Sequence, residues 1–336
     1  MIKNYLEKVI AKENLTIKEA AEVMLLIMNG EVNNSQLAGF LTGLKSKGET
    51  AEEIAGFANT MREKSIKINT DKENTIDVCG TGGDNSHTFN ISTAAAFVVA
   101  GAGIRVAKHG NRSVSSLSGS ADVLKTLGVN IDLSPEKTEK ALNEIGIAFL
   151  FAPLYHPAMK FAATVRKELG VRTVFNILGP LTNPAGVKKQ LVGTFNKEIS
   201  GKMAEASKFL DYSKVCYITS DNNVDEITLN GNTYVYEYED GKGVKKYEIN
   251  NNQFGYPEIN PLSIAGKSAE DNAKIMLKVF NNETNNGAFH VVASNAAMGL
   301  YASGYSDDLR ECLAAAEESI RSGKALKKLN ALKEIN

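Results

Sequence analysis

The chain of 336 residues has little of several things that mark whole classes of protein. It carries three cysteines, Cys79, Cys216 and Cys312, odd in number and far apart. No CxxC pair occurs, which excludes a disulfide framework and a thiolate zinc site. Reduced thiols in a cytoplasmic protein are the simplest reading. The formal net charge of −1 gives no electrostatic footprint for nucleic acid or for an anionic membrane. An anionic ligand would have to be met locally, by a few Lys and Arg, by backbone N–H groups or by a metal. The most apolar run, Ala94 to Ile104, is too short and too glycine-rich to span a bilayer. The first residues, MIKNYLEKVIAKE, read as an amphipathic helix without the apolar core of a signal peptide. There is no internal repeat. Two nucleotide fingerprints are also missing: no GxxxxGK[ST] string occurs, and Asn85 breaks GxGxxG.

What is present divides in two, and the length suits one large domain or a large one with a small one. The first 65 residues read as consecutive helices. Thr16 with Glu19 and Thr50 with Glu53 have the spacing of capping boxes, while Gly30 and Gly48 stand where helices stop. From Ile76 onward short apolar runs alternate with glycine-rich turns and helices, which predicts βαβ units around a mainly parallel sheet. Strands are expected at Ile76–Val78, Ile104–Ala107, Ala148–Phe151, Gln190–Thr194 and Val215–Thr219. Thr233 to Tyr238, the Asp240-Gly241 turn and the run beyond it read as a hairpin. The stretch from Phe161 to Ala185, with Pro180 and Pro184, reads as a return to the helical unit. The expected division is a helical domain at residues 1–70, rejoined by about 165–187, and an α/β domain at 71–164 and 188–336.

The most informative stretch is Gly80-Thr81-Gly82-Gly83-Asp84, followed by Phe89-Asn90-Ile91-Ser92-Thr93. A strand that ends in glycines exposes backbone N–H groups, and a helix start leaves four more unpaired, a combination suited to phosphate. A plain strand–turn–helix with Ser92 as the N-cap is the alternative. Ala107-Lys108-His109-Gly110-Asn111-Arg112, running on to Ser116, repeats the theme with added positive charge. Two such loops at the carboxyl edge of one sheet suit a ligand with phosphate at both ends. Asp225-Glu226 offers the hard oxygens that Mg2+ prefers, and both can serve one site only from a turn.

Taken together, GTGGD (80–84), FNIST (89–93), AKHGNRSVSS (107–116), SGSADVL (118–124), RTVFNILGPLTNP (172–184) and VDEITL (224–229) resemble the anthranilate phosphoribosyltransferase family over nearly the whole chain. The resemblance implies an α/β fold in which a small N-terminal helical domain is hinged to a larger domain with a mainly parallel sheet. It implies transfer of the 5-phosphoribosyl group of phosphoribosyl pyrophosphate (PRPP) to anthranilate, in tryptophan biosynthesis, by a homodimer. Gly80, Gly83, Asp84, Thr88, Asn90, Ile91, Ser92, Thr93, Lys108, Ser116 and Ser120 would bind PRPP. Gly80, Asn111, Arg166 and His109 would meet anthranilate. Ser92, Asp225 and Glu226 would hold Mg2+, two ions per monomer. Lys108 and Arg166 would act by charge and positioning, with no strong acid or base. Leu117 departs from the family, where many relatives carry a basic residue. His156 reads as a packing residue and Arg172 as an interdomain or surface charge. Two rivals share the architecture. A pyrimidine nucleoside phosphorylase has no need of the Asp225-Glu226 pair, and a non-catalytic nucleic-acid binder should be basic.

Overall fold

The computed structural model describes residues 2–84, 86, 88–112, 118–284 and 286–335. Four helices come first: Ile2–Ile10, Ile17–Met28, Asn34–Lys47 and Ala51–Lys64. The expected caps are formed. The Thr16 hydroxyl accepts from Glu19 N while Glu19 accepts from Thr16 N, and Thr50 and Glu53 repeat the exchange. Glu53 also accepts from Leu15 N at 2.8 Å and from Lys47 at 2.8 Å, so one buried carboxylate ties three segments together. The second and fourth helices touch at Gly56, where a Cβ would stand 2.4 Å from the Ile17 carbonyl oxygen. No other residue allows that approach.

Seven strands follow: β1 Thr75–Gly80, β2 Arg105–Gly110, β3 Ile147–Phe151, β4 Lys189–Gly193, β5 Lys214–Ser220, β6 Thr233–Glu239 and β7 Gly243–Ile249. They form one sheet in the order β3-β2-β1-β4-β5-β6-β7. The first five are parallel, and the β6–β7 hairpin adds an antiparallel edge. The sequence of crossovers reverses between β1 and β4, which opens a crevice beyond their carboxyl ends. There Gly80 pairs with Gly193.

Two apolar cores result. One lies between the sheet and the helices Ile91–Gly101, Gly287–Ser303 and Leu309–Arg321, with Phe97 and Phe280 edge to face at 5.9 Å. The other joins the first four helices, through Phe40 and Phe57, to Ala162 and Val165 of the Lys160–Leu169 helix and to Phe175, Ile177, Leu178 and Leu181. It continues onto the opposite face of the sheet through Val192, Val215 and Tyr217. Among the described residues no helix is long and apolar enough to cross a membrane.

Candidate active site

The glycines after β1 are set by their neighbours. A Cβ on Gly193 would lie 1.7 Å from the Asp225 carbonyl oxygen, and one on Gly80 would lie 2.8 Å from Asp225 Oδ2. Both strand ends must therefore be bare for the turn carrying Asp225 to seat between them. Gly82 and Gly83 have φ of 63° and 75°, which favours glycine. Gly82 N then donates to Asp225 Oδ2 at 3.0 Å, and Asp225 N donates to Asp84 Oδ2 at 3.2 Å.

The Ile91–Gly101 helix opens beside this loop. Asn90 occupies its N-cap position without a capping bond. Its amide is used elsewhere, donating to Ser118 O and accepting from Asn272 Nδ2. Ser92 is not the cap; it lies in the first turn, and its backbone N–H donates to Glu226 Oε1 at 3.0 Å. Ile91 and Thr93 point into the core, and Thr88 forms a bridge with Ala265. The two backbone sites most ready for an anion, Gly82 and Ser92, are thus both met by side-chain carboxylates.

Asp225 and Glu226 leave β5 in a turn, through Asn222 and Asn223 at positive φ, so the opposite-face problem of a strand does not arise. Burial pushes both carboxyls above their usual range, and their mutual charge and that of Asp84 push Asp225 further. Among the described residues no Lys or Arg forms an ion pair with them, and no three acidic, His or Cys groups gather closely enough to cage a metal alone. Hard oxygen donors without a direct ion pair, with only the buried Lys108 charge acting on them from nearby, fit Mg2+, which takes one or two carboxylates and completes its shell with phosphate oxygens and water.

The second loop places its residues differently. Lys108 lies almost wholly buried beneath the first loop, and its ammonium donates to Val78 O at 2.6 Å. Burial lowers its pKa, opposed chiefly by the charge of Asp77. His109 is also buried; Nδ1 donates to Gly179 O at 3.1 Å, leaving Nε2 without a partner. Burial drives its pKa down to about 3. Asn111 and Arg112 are exposed, and Ser120 Oγ donates to Asn111 O at 3.2 Å. Ser116 and Leu117 lie outside the described residues.

Residues 156–172 carry three further candidates. Arg166 stacks over Phe175 with 5.3 Å to the ring centre, half-buried, and among the described residues it has no acidic ion-pair partner. His156, its pKa lowered by burial to about 4, sits 5.2 Å from the His109 ring. Arg172 donates to the Gly83 carbonyl and stacks on Phe195 at 4.4 Å.

Sequence reading passed over Asp77, Asn183 and Gln190. Asp77 is fully buried and accepts from His109 N, Asn183 Nδ2 and Gln190 Nε2. Burial raises its pKa to about 6. An acidic residue in the middle of the Ile76–Val78 apolar run was the available signal, since a charge there needs buried donors.

A family described as "Glycosyl transferase family, helical bundle domain" matches residues 3–65, and one described as "Glycosyl transferase family, a/b domain" matches residues 72–326. The anthranilate phosphoribosyltransferase of Petrotoga mobilis is 47% identical over 335 residues, covering 100% of this chain and 97% of that protein. That of Moorella thermoacetica is 46% identical over 332 residues, covering 99% and 97%. The crystal structure of the Thermus thermophilus enzyme superposes with a TM-score of 0.91 at 39% identity, covering 98% of each chain. The Saccharomyces cerevisiae enzyme in complex with PRPP and Mg gives 0.90 at 28%, covering 98% and 96%. With a glycine loop and a helix start meeting an acidic turn at one sheet edge, and with these relatives matching it end to end, the chain belongs to the anthranilate phosphoribosyltransferase family.

Proposed function

We propose that the chain transfers the 5-phosphoribosyl group of PRPP to the amine of anthranilate, releasing pyrophosphate, as a Mg2+-using step of tryptophan biosynthesis. The observation that carries this reading is the convergence of Gly82 N–H, the first turn of the Ile91–Gly101 helix and the Asp225–Glu226 turn at one sheet edge.

PRPP lies along the first loop, held by Gly80, Gly83, Asp84, Thr88, Asn90, Ile91, Ser92 and Thr93, with Ser116 and Ser120 at its second phosphate. Lys108, buried below, contributes positive charge to the floor of the site rather than a direct hydrogen bond. Asp225, Glu226 and the Ser92 hydroxyl hold Mg2+, two ions per monomer. When bound, the metal neutralises charge that builds on the departing pyrophosphate. Backbone N–H groups at fixed positions do the same without reorganising during the reaction.

Anthranilate sits against Gly80, Asn111, His109 and Arg166. The Arg166 guanidinium, without an acidic ion-pair partner among the described residues, supplies a two-pronged donor for its carboxylate, which Lys cannot. Burial disfavours the charged form of His109, so the ring on that side of anthranilate is the neutral imidazole. An aromatic amine is already unprotonated near neutral pH, so catalysis consists of placing it next to ribose C1 while the leaving group is held.

The division into a helical unit, residues 1–70 rejoined by about 165–187, and an α/β unit is supported by the way Phe175 and Leu178 join the helical core. Closure of one unit on the other would bring Arg166 toward the loops. Exposed apolar side chains at Ile10 and Leu25 of the first two helices support a homodimer through the helical unit, and three buried, unbridged cysteines support a cytoplasmic location. The test follows anthranilate fluorescence with PRPP, with and without Mg2+. Loss of fluorescence only when all three are present supports the reading, and phosphorolysis of a pyrimidine nucleoside in its place overturns it.

A further inference from the structure

Asn295 lies in the middle of the Gly287–Ser303 helix, 1% exposed, among Ala, Val and Met side chains. A polar group there must find every partner inside the protein. Its Oδ1 accepts from Ile227 N at 3.0 Å, and its Nδ2 donates to Ile227 O at 2.9 Å and to Val291 O at 2.8 Å. One side chain therefore grips both backbone groups of one residue, as a neighbouring strand would.

Ile227 is the residue after Glu226. The chain here has left the sheet, and no strand pairs with it. Its buried N–H and C=O would be orphaned without Asn295. On the other side of the turn, Ser220 Oγ donates to Glu226 O at 2.6 Å. The Glu226–Ile227 peptide unit is thus held at both ends, its C=O by Ser220 and its N–H by Asn295, while Asn295 also holds the C=O of the next unit, and the carboxylate is aimed at the Ser92 N–H.

We propose that Asn295 is a positioning residue for the acidic turn: its side-chain amide substitutes for a strand partner at Ile227 and so sets the direction of Glu226 toward the bound metal and pyrophosphate. This rests on the reading that Asp225 and Glu226 hold Mg2+. Asn295 touches no substrate, and its effect passes entirely through the backbone of Ile227. The helix also packs the Ile91–Gly101 helix, with Gly299 against Val99, so one element contacts both the acidic turn and the helix that turn faces.

The experiment compares Asn295→Ala and Asn295→Ser with the unaltered protein, using Mn2+ as a paramagnetic probe in the presence of PRPP. Removing the paired hydrogen bonds should weaken Mn2+ binding about tenfold or more and raise the PRPP KM in parallel, while the anthranilate KM stays put. A role confined to stability would lower the melting temperature and leave Mn2+ affinity unchanged in the folded fraction, which overturns the proposal. The Asp225→Asn/Glu226→Gln double variant separates the two levels. If it binds Mn2+ normally, the metal reading itself fails. If it loses Mn2+ while the Asn295 variants keep it, only the role of Asn295 fails. Should both Asn295 variants be unfolded, amide exchange in the unaltered protein decides. Slow exchange at Ile227 beside fast exchange at exposed Asn222 and Asn223 is required, and fast exchange at Ile227 refutes the grip.

Discussion

Asp77 and Asn183, 106 positions apart in the chain, meet with 2.8 Å between Oδ2 and Nδ2. The contact fastens the stretch around Asn183 to β1 of the sheet. The same Asn183 amide donates to Ala107 O at 2.8 Å, and its oxygen accepts from Ala185 N at 2.9 Å. Replacing Asn183 by Ala leaves three buried groups short of partners. The expected loss is about 2–4 kcal/mol of unfolding free energy, since each orphaned group costs about 1–3 kcal/mol and some find water. Urea denaturation measures it, and a loss below about 1 kcal/mol would show that the segment is held by its apolar residues alone.

The buried His156 predicts a pH effect of definite sign. Its folded pKa, about 4, lies below the unfolded value of about 6.5. A depressed pKa means that the contribution to stability is complete above about pH 6.5 and is lost as pH falls toward about 4. The stability gap between the parent and His156→Gln should therefore shift against the parent by about 2 kcal/mol between about pH 7 and about pH 5. Taking the difference cancels Asp77, whose raised pKa acts in the opposite direction. A pH-independent gap would mean that the imidazole titrates normally.

Arg166→Ala should raise the anthranilate KM by about ten- to a hundredfold, the value of a charge-assisted, two-pronged hydrogen bond. Arg166→Lys should recover only part of this. The PRPP KM serves as the control. An unchanged anthranilate KM in the Ala variant would remove Arg166 from the site.

The local signals in the sequence were strong and the distant ones were silent. Thr16–Glu19 and Thr50–Glu53 announce their helices because both partners lie within one turn. The GTGGD loop is readable for a similar reason: a turn that needs bare backbone selects glycine wherever it occurs. Lys108 shows where this ends. Its charge was legible, but its direction was not, because only β1, brought alongside by the sheet, supplies the Val78 carbonyl it meets. Asn183 and Asn295 were invisible for the same reason, their partners lying 106 and 68 positions away. Two asparagines among many carry no local mark of what they will hold.

The carboxylates that occupy Gly82 N–H and Ser92 N–H lead to a further expectation. In the Asp225→Asn/Glu226→Gln variant, Mg2+-dependent turnover should vanish. Metal-free pyrophosphate should bind that variant more tightly than the parent, by about tenfold or more, because two like charges have been removed and the neutral amides compete less strongly for the two N–H donors. Calorimetry in the presence of a chelator reads this directly. Equal or weaker pyrophosphate binding would show that the carboxylates do not compete for those donors.

The second apolar core opens with Ile2 and is not complete until Tyr238 is in place. Synthesis proceeds from the N-terminus at about 5–20 residues per second, so the first helices wait on the order of 10–50 s for their last partners. Through that interval the seam that will receive Ala162, Val165 and Phe175 has no cover of its own. Until then the early helices hold together on contacts among themselves, the Phe40–Phe57 pair and the Glu53 knot among them. The tightness of that first bundle, down to the bare backbone at Gly56, gives the nascent chain something to keep while the rest is still on the ribosome.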